Sequence, residues 1–296
     1  MEKAKSAPAK EKYGALIGSV VGASVKGASH ERSGAACQDS FKAGFCLDGT
    51  RFLAVADGHG SSACPYSQEG SKLACSAFCD TMKKLYLAQK ANRDELITYL
   101  NREGSIKIAR AIDEAWKKKV RKLHRQEGRE LPPELADNTQ SNEHTLWAPV
   151  YRQYGTTLLG IIIAEDFQFA LQIGDGDICY VDDSGFQRVI EGDKMLGVET
   201  HSLSRLNAWE KAISALQRRD LTQCRPAVYL LATDGFCNSH SNEQEFEKTC
   251  MEYFETLNQY GAGPVQENLA GWLKETSELG CGDDITVLMV YLDKDR

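Results

Sequence analysis

The chain has 296 residues, 42% hydrophobic and 26% charged, with 35 basic against 42 acidic side chains and a formal net charge of −7. This is ordinary globular composition, enough for one large domain or two small ones. No dominant basic block points to nucleic acid as a primary partner, and no apolar run approaches the length of a membrane span.

Residues 1 to about 12 are small and charged and read as a loose tail ahead of a single domain, 13–296. No apolar stretch backs Met1-Glu2-Lys3-Ala4-Lys5, so no secretory signal is expected. Ile17 to Val25 reads as an edge strand, followed by a small-residue loop reaching Gln38-Asp39. Phe41 to Cys46 and Phe52 to Ala56 read as strands, with Asp48-Gly49 as the hairpin signal between them. After Pro65, Leu73, Ala74, Ala77, Phe78, Met82 and Leu85 recur at helical spacing. A second helix from about Ser105 places Ile108, Ile112, Trp116, Val120 and Leu123 on one face. Lys117, Lys118, Lys119, Arg121, Lys122 and Arg125 form a basic face read as solvated. Gln126 to Pro149 is a polar insertion, near 126–150.

Gly155 to Ala164 and Phe167 to Ile173 read as buried strands, and Ile178 to Val181 with Phe186 to Ile190 as a hairpin. Leu206, Trp209, Ile213 and Leu216 predict a helix over Leu203 to Leu216, and further helices are predicted over Ser241 to Leu257 and Pro264 to Ser277. Strands in hairpin groups and helices in separate groups predict an α+β fold with antiparallel sheets. The ten cysteines form no Cys-x-x-Cys. Cys46, Cys179, Cys237 and Cys250 sit among apolar neighbours, and Cys75 and Cys79 read as helix packing, so a reducing cytoplasm is expected.

One construction recurs. An apolar run ends in Ala56-Asp57-Gly58-His59-Gly60; others end in Gly174-Asp175-Gly176-Asp177 and Thr233-Asp234-Gly235, and Gly282-Asp283-Asp284 opens the last one. A single Asp-Gly after a strand is a turn. Several, each on an apolar strand, bring carboxylates to one rim of a sheet, where their repulsion implies bound cations. Asp57, the Gly58 carbonyl and His59 suit a hard cation beside a proton donor. Asp177 reads as a loop or supporting carboxylate, Thr156-Thr157 as structural, and His124, His144, His201 and His240 as solvent or capping residues.

The ordered set Gln38-Asp39, Asp57-Gly58-His59-Gly60, Gly155-Thr156-Thr157, Gly174-Asp175-Gly176-Asp177, Thr233-Asp234-Gly235 and Asp283-Asp284-Ile285-Thr286-Val287 resembles the metal-dependent (type 2C) serine/threonine protein phosphatases, over about residues 17 to 292. The resemblance implies a four-layer αββα sandwich, two antiparallel sheets flanked by helices. It further implies a metal-activated water that hydrolyses phosphomonoesters on a phosphorylated protein. Mg²⁺ or Mn²⁺ is expected, as two ions with a third, weaker position. Carried over, Asp57 would bridge the ions with the Gly58 carbonyl on one, Asp234 and Asp283 would complete the second ion's shell, Asp39 would hold bound waters, and Asp175 with Asp234 would frame the third position. His59 would be the general acid. Partners implied are a phosphoprotein and a cognate kinase, with the chain a monomer.

The sequence also departs from that pattern. Gly34 stands where the family often carries a phosphate-gripping Arg, with His30 and Arg32 nearby as substitutes or as surface residues. Asn238 stands for a frequent Asp, and Asp284 for a frequent Asn, which leaves Asp283 and Asp284 as alternative ligands. The span Asp193 to Pro226 is expected to cover the cleft. Two other readings stand beside the enzyme: a catalytically weak or silent phosphatase-like regulatory binding protein, and a two-metal hydrolase of small phosphoesters.

Overall fold

The computed structural model describes residues 18–133, 143–191, 201–221 and 226–293. The expected tail, the Asn138-to-Asn142 part of the polar insertion, and 193–200 and 222–225 of the expected cover lie outside them. Two five-stranded antiparallel sheets are stacked. The first runs β2 (Ser40–Phe45), β3 (Arg51–Ala56), β4 (Leu158–Ile163), β5 (Phe167–Ile173) and β8 (Ile213–Arg218). The second runs β1 (Ser19–Val25), β10 (Ile285–Leu292), β9 (Ala227–Ala232), β6 (Asp177–Asp182) and β7 (Gly185–Arg188). The α+β sandwich expected from the sequence is present.

Successive side chains of a strand face opposite ways, so a strand buried on both faces must be apolar throughout. β3, β4, β9 and β10 obey this. Leu53, Val55, Leu159, Ile161, Ile163, Tyr229, Leu231, Leu288 and Val290 fill the layer between the sheets. Their alternates Phe52, Ala54, Leu158 and Ile162 face a helical layer made of α2 (Ser67–Gln89), α3 (Arg93–Glu103) and α4 (Ala109–Gln126). Val228, Leu230, Val287 and Met289 face α8 (Glu243–Tyr260) and α9 (Ala262–Leu279). The Asn242 side chain accepts from Glu245 N at 3.0 Å and so starts α8 by satisfying an otherwise unpaired amide.

Three local expectations are corrected, and one helix is added. Leu203 to Leu216 is not a helix: one 3₁₀ turn, Ala208–Lys211, leads into β8. The apolar spacing there fits a helix, but β5 would otherwise leave a row of unpaired backbone groups, and pairing β8 along it satisfies them. The loop before Gln38 contains a helical turn, α1 (Ala28–Ser33), closed by Gly34 at φ 77°. Arg93–Glu103 is helical without a predicted periodicity, and a π turn, Gly104–Ile108, joins it to α4. Lys117 leaves the solvated face: it is buried, bonded to Asp113 one turn earlier at 2.7 Å, and its Nζ reaches the Leu206 carbonyl. Burial lifts the Asp113 carboxyl to about 6 despite that ammonium.

The polar insertion also ends in packed structure. Two short helices, α5 (Glu143–Leu146) and α6 (Ala148–Arg152), flank a fully buried Trp147 covered by the Arg125 guanidinium at 4.8 Å. Leu231 lies fully buried between the sheets, whereas Leu87 on α2 is 52% exposed. Leu231→Ala is expected to cost about 2–5 kcal/mol and Leu87→Ala less than about 0.5 kcal/mol, read from chemical denaturation midpoints. Equal midpoints would contradict a close-packed layer between the sheets.

Candidate active site

The strand β3 ends in Asp57, and the loop after it is held by β4. Thr156 Oγ1 donates to the Asp57 carbonyl at 2.8 Å, as does Thr157 N, and Asp57 N donates to Thr157 Oγ1 at 3.0 Å. His59 N donates to the Gly155 carbonyl at 3.0 Å. Gly58 runs so close to its neighbours that a Cβ would lie 2.7 Å from the Gln38 carbonyl and 2.8 Å from that of Ser67, so no side chain fits. The threonine pair expected to be structural therefore clamps the backbone that presents Asp57.

Three further carboxylates act on it from other elements, Asp39 just before β2, Asp234 at the start of α7 (Asp234–Asn238) and Asp283 just before β10, and Asp175 in the β5–β6 turn acts on Asp234. Burial raises the Asp57 carboxyl well above the ordinary carboxylate range, and the charges of Asp39, Asp234 and Asp283 add to this. Asp234 is lifted to about 6 by burial, then by Asp175 and Asp283. Asp39 is lifted to about 7, first by burial; Thr233 opposes this through a 2.7 Å hydrogen bond to Oδ2, and Asp284 adds to it. The other Asp39 oxygen, Oδ1, is buried with no hydrogen-bond donor, and the group abuts the Asp57 carboxyl.

Among the described residues no three such side chains already close on one point. What the fold assembles is a set of crowded carboxylates with a bare buried oxygen, deficient in positive charge. All these donors are oxygens, which fits a hard cation such as Mg²⁺ or Mn²⁺ rather than a thiolate- or imidazole-seeking metal.

Asp283 and Asp284 divide sharply. Asp284 is 3% exposed; its Oδ1 accepts from Gly27 N at 2.7 Å and bonds His30 Nδ1 at 2.9 Å, while Oδ2 accepts from Gln38 N at 2.7 Å. Asp283 is exposed, accepts from Asp284 N at 2.8 Å, and acts on Asp57 and Asp234. Gly235 allows the crossing: a Cβ there would lie 2.1 Å from the Asp284 carbonyl. With Nδ1 on Asp284, His30 brings Nε2 near Gly60, as Gln38 brings Oε1; a Cβ on Gly60 would lie 3.9 Å from the nitrogen and 3.4 Å from the oxygen. Arg32 is exposed, with its guanidinium beside Gly282.

His59 is half-buried over Gly155 and borders a cavity of about 770 Å³ that Arg152 and Arg205 also line. Asn238 donates to Asp234 Oδ2 at 3.0 Å. Asp177 is committed to Arg188 at 2.8 Å, and His240 caps α7 through the Phe236 carbonyl at 2.8 Å. His124 is a correction: it is buried, bonded to the Tyr154 hydroxyl and the Glu130 carbonyl, because its helix face packs under Tyr154 and Trp147. His144's side chain lies outside the described residues. Thr233 and Asp284 stand in the motifs read from the sequence, but their partners were missed, as were Arg152 and Arg205 altogether.

The description "Protein phosphatase 2C" belongs to the family model that matches residues 26–274. Among solved structures, the fold is similar to the catalytic domain of the serine threonine protein phosphatase PstP in complex with 2 manganese ions, at 19% identity over 93% of this chain and 98% of that one, TM-score 0.52. It is similar to the Mycobacterium tuberculosis serine/threonine phosphatase PstP/Ppp, at 16% identity over 94% of this chain and 100% of that one, TM-score 0.52. It is also similar to the S. agalactiae serine/threonine phosphatase, at 15% identity over 94% and 100%, TM-score 0.53. No curated protein matches the sequence.

Raised carboxylates hold protons in the folded state that the unfolded chain releases near pH 4. Their contribution to stability therefore falls as pH rises through about 4 to 7. A divalent cation competes with those protons. In chelator, the melting temperature is expected to carry a falling component from pH 5 to 7.5, and Mn²⁺ is expected to raise it more at pH 7.5 than at pH 5. A Mn²⁺ gain that is equal at both pH values would contradict this electrostatic account.

Proposed function

Since the chain belongs to the protein phosphatase 2C family, we propose that it is a metal-dependent serine/threonine phosphoprotein phosphatase hydrolysing phosphomonoesters. The observation that carries the reading is the convergence of five carboxylates from both sheets on Asp57 and Asp234, with Asp39 Oδ1 buried and bare. Asp57, the Gly58 carbonyl, Asp234 and Asp283 would hold two Mg²⁺ or Mn²⁺ ions, Asp39 their waters, and Asp175 a third ion with Asp234. Bound ions of this kind supply a nucleophilic water at neutral pH and neutralise charge on the phosphoryl oxygens.

The chain's own groups do the rest. His59 donates a proton to the departing serine or threonine oxygen. His30, oriented by Asp284, and Arg32 take the phosphoryl oxygens where Gly34 offers nothing. Gln38 Oε1 borders the same space at Gly60. The glycine at position 34 favours the second reading, a weak or silent regulatory binding protein. Against it, a binding module gains nothing from carboxylates that crowd each other without cations.

The substrate we propose is a phosphorylated protein, made by a cognate kinase, with the phosphatase a monomer in signalling. A cytoplasmic setting fits the buried thiols of Cys179 and Cys250, adjacent and yet unbridged. Among the described residues no helix is long and apolar enough to cross a membrane.

Turnover of a phosphoserine peptide is expected to vanish in chelator and return with Mn²⁺; full activity after exhaustive chelation would sink the mechanism. Asp57→Asn and Asp283→Asn are expected to be inactive at any Mn²⁺ level. Asp284→Asn is expected to keep turnover but lose about 1–3 kcal/mol of stability, because one amide oxygen cannot serve donors on both sides. An active Asp283→Asn beside a dead Asp284→Asn would move the ligand by one residue.

A separate comparison isolates the proton. His59→Gln is expected to slow a phosphoserine peptide by about 10²–10⁴-fold and an aryl phosphate far less, since a phenolate leaves without protonation. Equal losses on the two substrates would leave His59 a structural role only.

A further inference from the structure

We propose that the cavity beside His59 is a subsite for a second anionic group on the phosphopeptide, gripped by Arg152 and Arg205. The inference rests on the phosphatase reading above. If His59 protonates the leaving oxygen, the peptide leaves phosphorus on the His59 side, and the flank of the phosphorylated residue must lie in the space that His59 borders. That space is the cavity of about 770 Å³, large enough for several groups of a peptide.

Among the described residues its walls carry Arg152 and Arg205 with the hydroxyl-bearing Ser61 and Ser204, and no described lining residue is a carboxylate. This is distinctive in a chain of net charge −7 whose acidic cluster begins two residues before His59. Both guanidiniums are on exposed residues and come from separate elements. Planar guanidiniums with neighbouring hydroxyls suit carboxylate or phosphate oxygens.

The walls are built rather than incidental. Arg152 closes α6, whose Val150 and Tyr151 are fully buried, and its carbonyl accepts from Gly155 N at 3.2 Å. The segment bearing Arg205 is tied on both sides. Leu203 N donates to the Thr156 carbonyl at 2.9 Å, Ser202 Oγ bonds Ser204 Oγ at 2.9 Å, and buried Lys117 holds the Leu206 carbonyl. Thr156 is also the residue that clamps Asp57. Subsite and acidic cluster therefore hang on the same strand end, and their spacing is fixed.

The test uses the full chain with saturating Mn²⁺ and phosphoserine peptides that differ only in flank: Gln on both sides, Glu on either side, or a second phosphoserine in place of Glu. The wild type is expected to prefer an acidic flank by about tenfold or more in kcat/KM, expressed in KM, the order of one charge-assisted hydrogen bond. The preference is expected to shrink in Arg152→Gln and Arg205→Gln and to approach one in the double variant. Comparing the Glu and phosphoserine peptides assigns the anion. In the wild type the preference is also expected to fall between 50 mM and 500 mM NaCl, a readout that needs no variant to fold. Turnover without preference, or a preference that survives both substitutions, overturns the subsite alone. No turnover of any peptide overturns the phosphatase reading and the subsite with it.

Discussion

Like charges crowded together repel, and the arrangement of this molecule depends on how that repulsion is contained. Asp39, Asp57, Asp175, Asp234 and Asp283 approach one another at the joint end of two sheets. Carboxylates left to themselves would swing apart into solvent. Here the backbone forbids it: Thr156 and Thr157 hold Asp57 on both its amide and its carbonyl. Thr233 donates to Asp39 while its own oxygen accepts from Thr286 N at 2.9 Å, linking β9, β10 and the start of β2 in one chain of hydrogen bonds. These hydrogen bonds fix the backbone that presents Asp57 and Asp39.

The tandem carboxylates before β10 show the same economy. In extended backbone two successive side chains point apart. One of them, Asp284, turns inward and ties α1 and the Gln38 segment to β10 through Gly27, His30 and Gln38. The other turns toward Asp57 and Asp234. An identical functional group thus serves as scaffold or as donor to the cluster according to which face of the strand end it occupies. By fixing His30 through Nδ1, Asp284 also aims the opposite nitrogen toward Gly60.

Behind the cluster, the dry layer between the sheets supplies rigidity. Its members are mostly aliphatic side chains, with Tyr229, on alternate positions of β3, β4, β9 and β10, and helices bury the intervening positions. Close packing resists the small displacements that would spread the carboxylates. Outside this frame, α6 and the segment after residue 200 bring Arg152 and Arg205 to the cavity rim.

The apolar alternation of the central strands, the Asp-Gly endings and the long helices α2, α8 and α9 were readable from the sequence. Each is a local pattern with its own period, and burial on both faces leaves a continuous apolar run. The α+β arrangement followed from how those patterns are grouped. Tertiary structure alone decided the rest. Ile213 and Leu216 belong to a strand because β5 had an edge to pair, a need that helical spacing does not register. Lys117 sits in the interior because Asp113 and the Leu206 carbonyl are there to receive it, though in sequence it belongs to a run of surface lysines. Asp284 rather than Asp283 became the scaffold because Gly27 and Gln38, some 250 residues away in sequence, present their amides to one side of the strand end. A side chain's chemistry is written in its own residue, but its partners come from the fold, and here the partners separate an acidic-cluster residue from a brace.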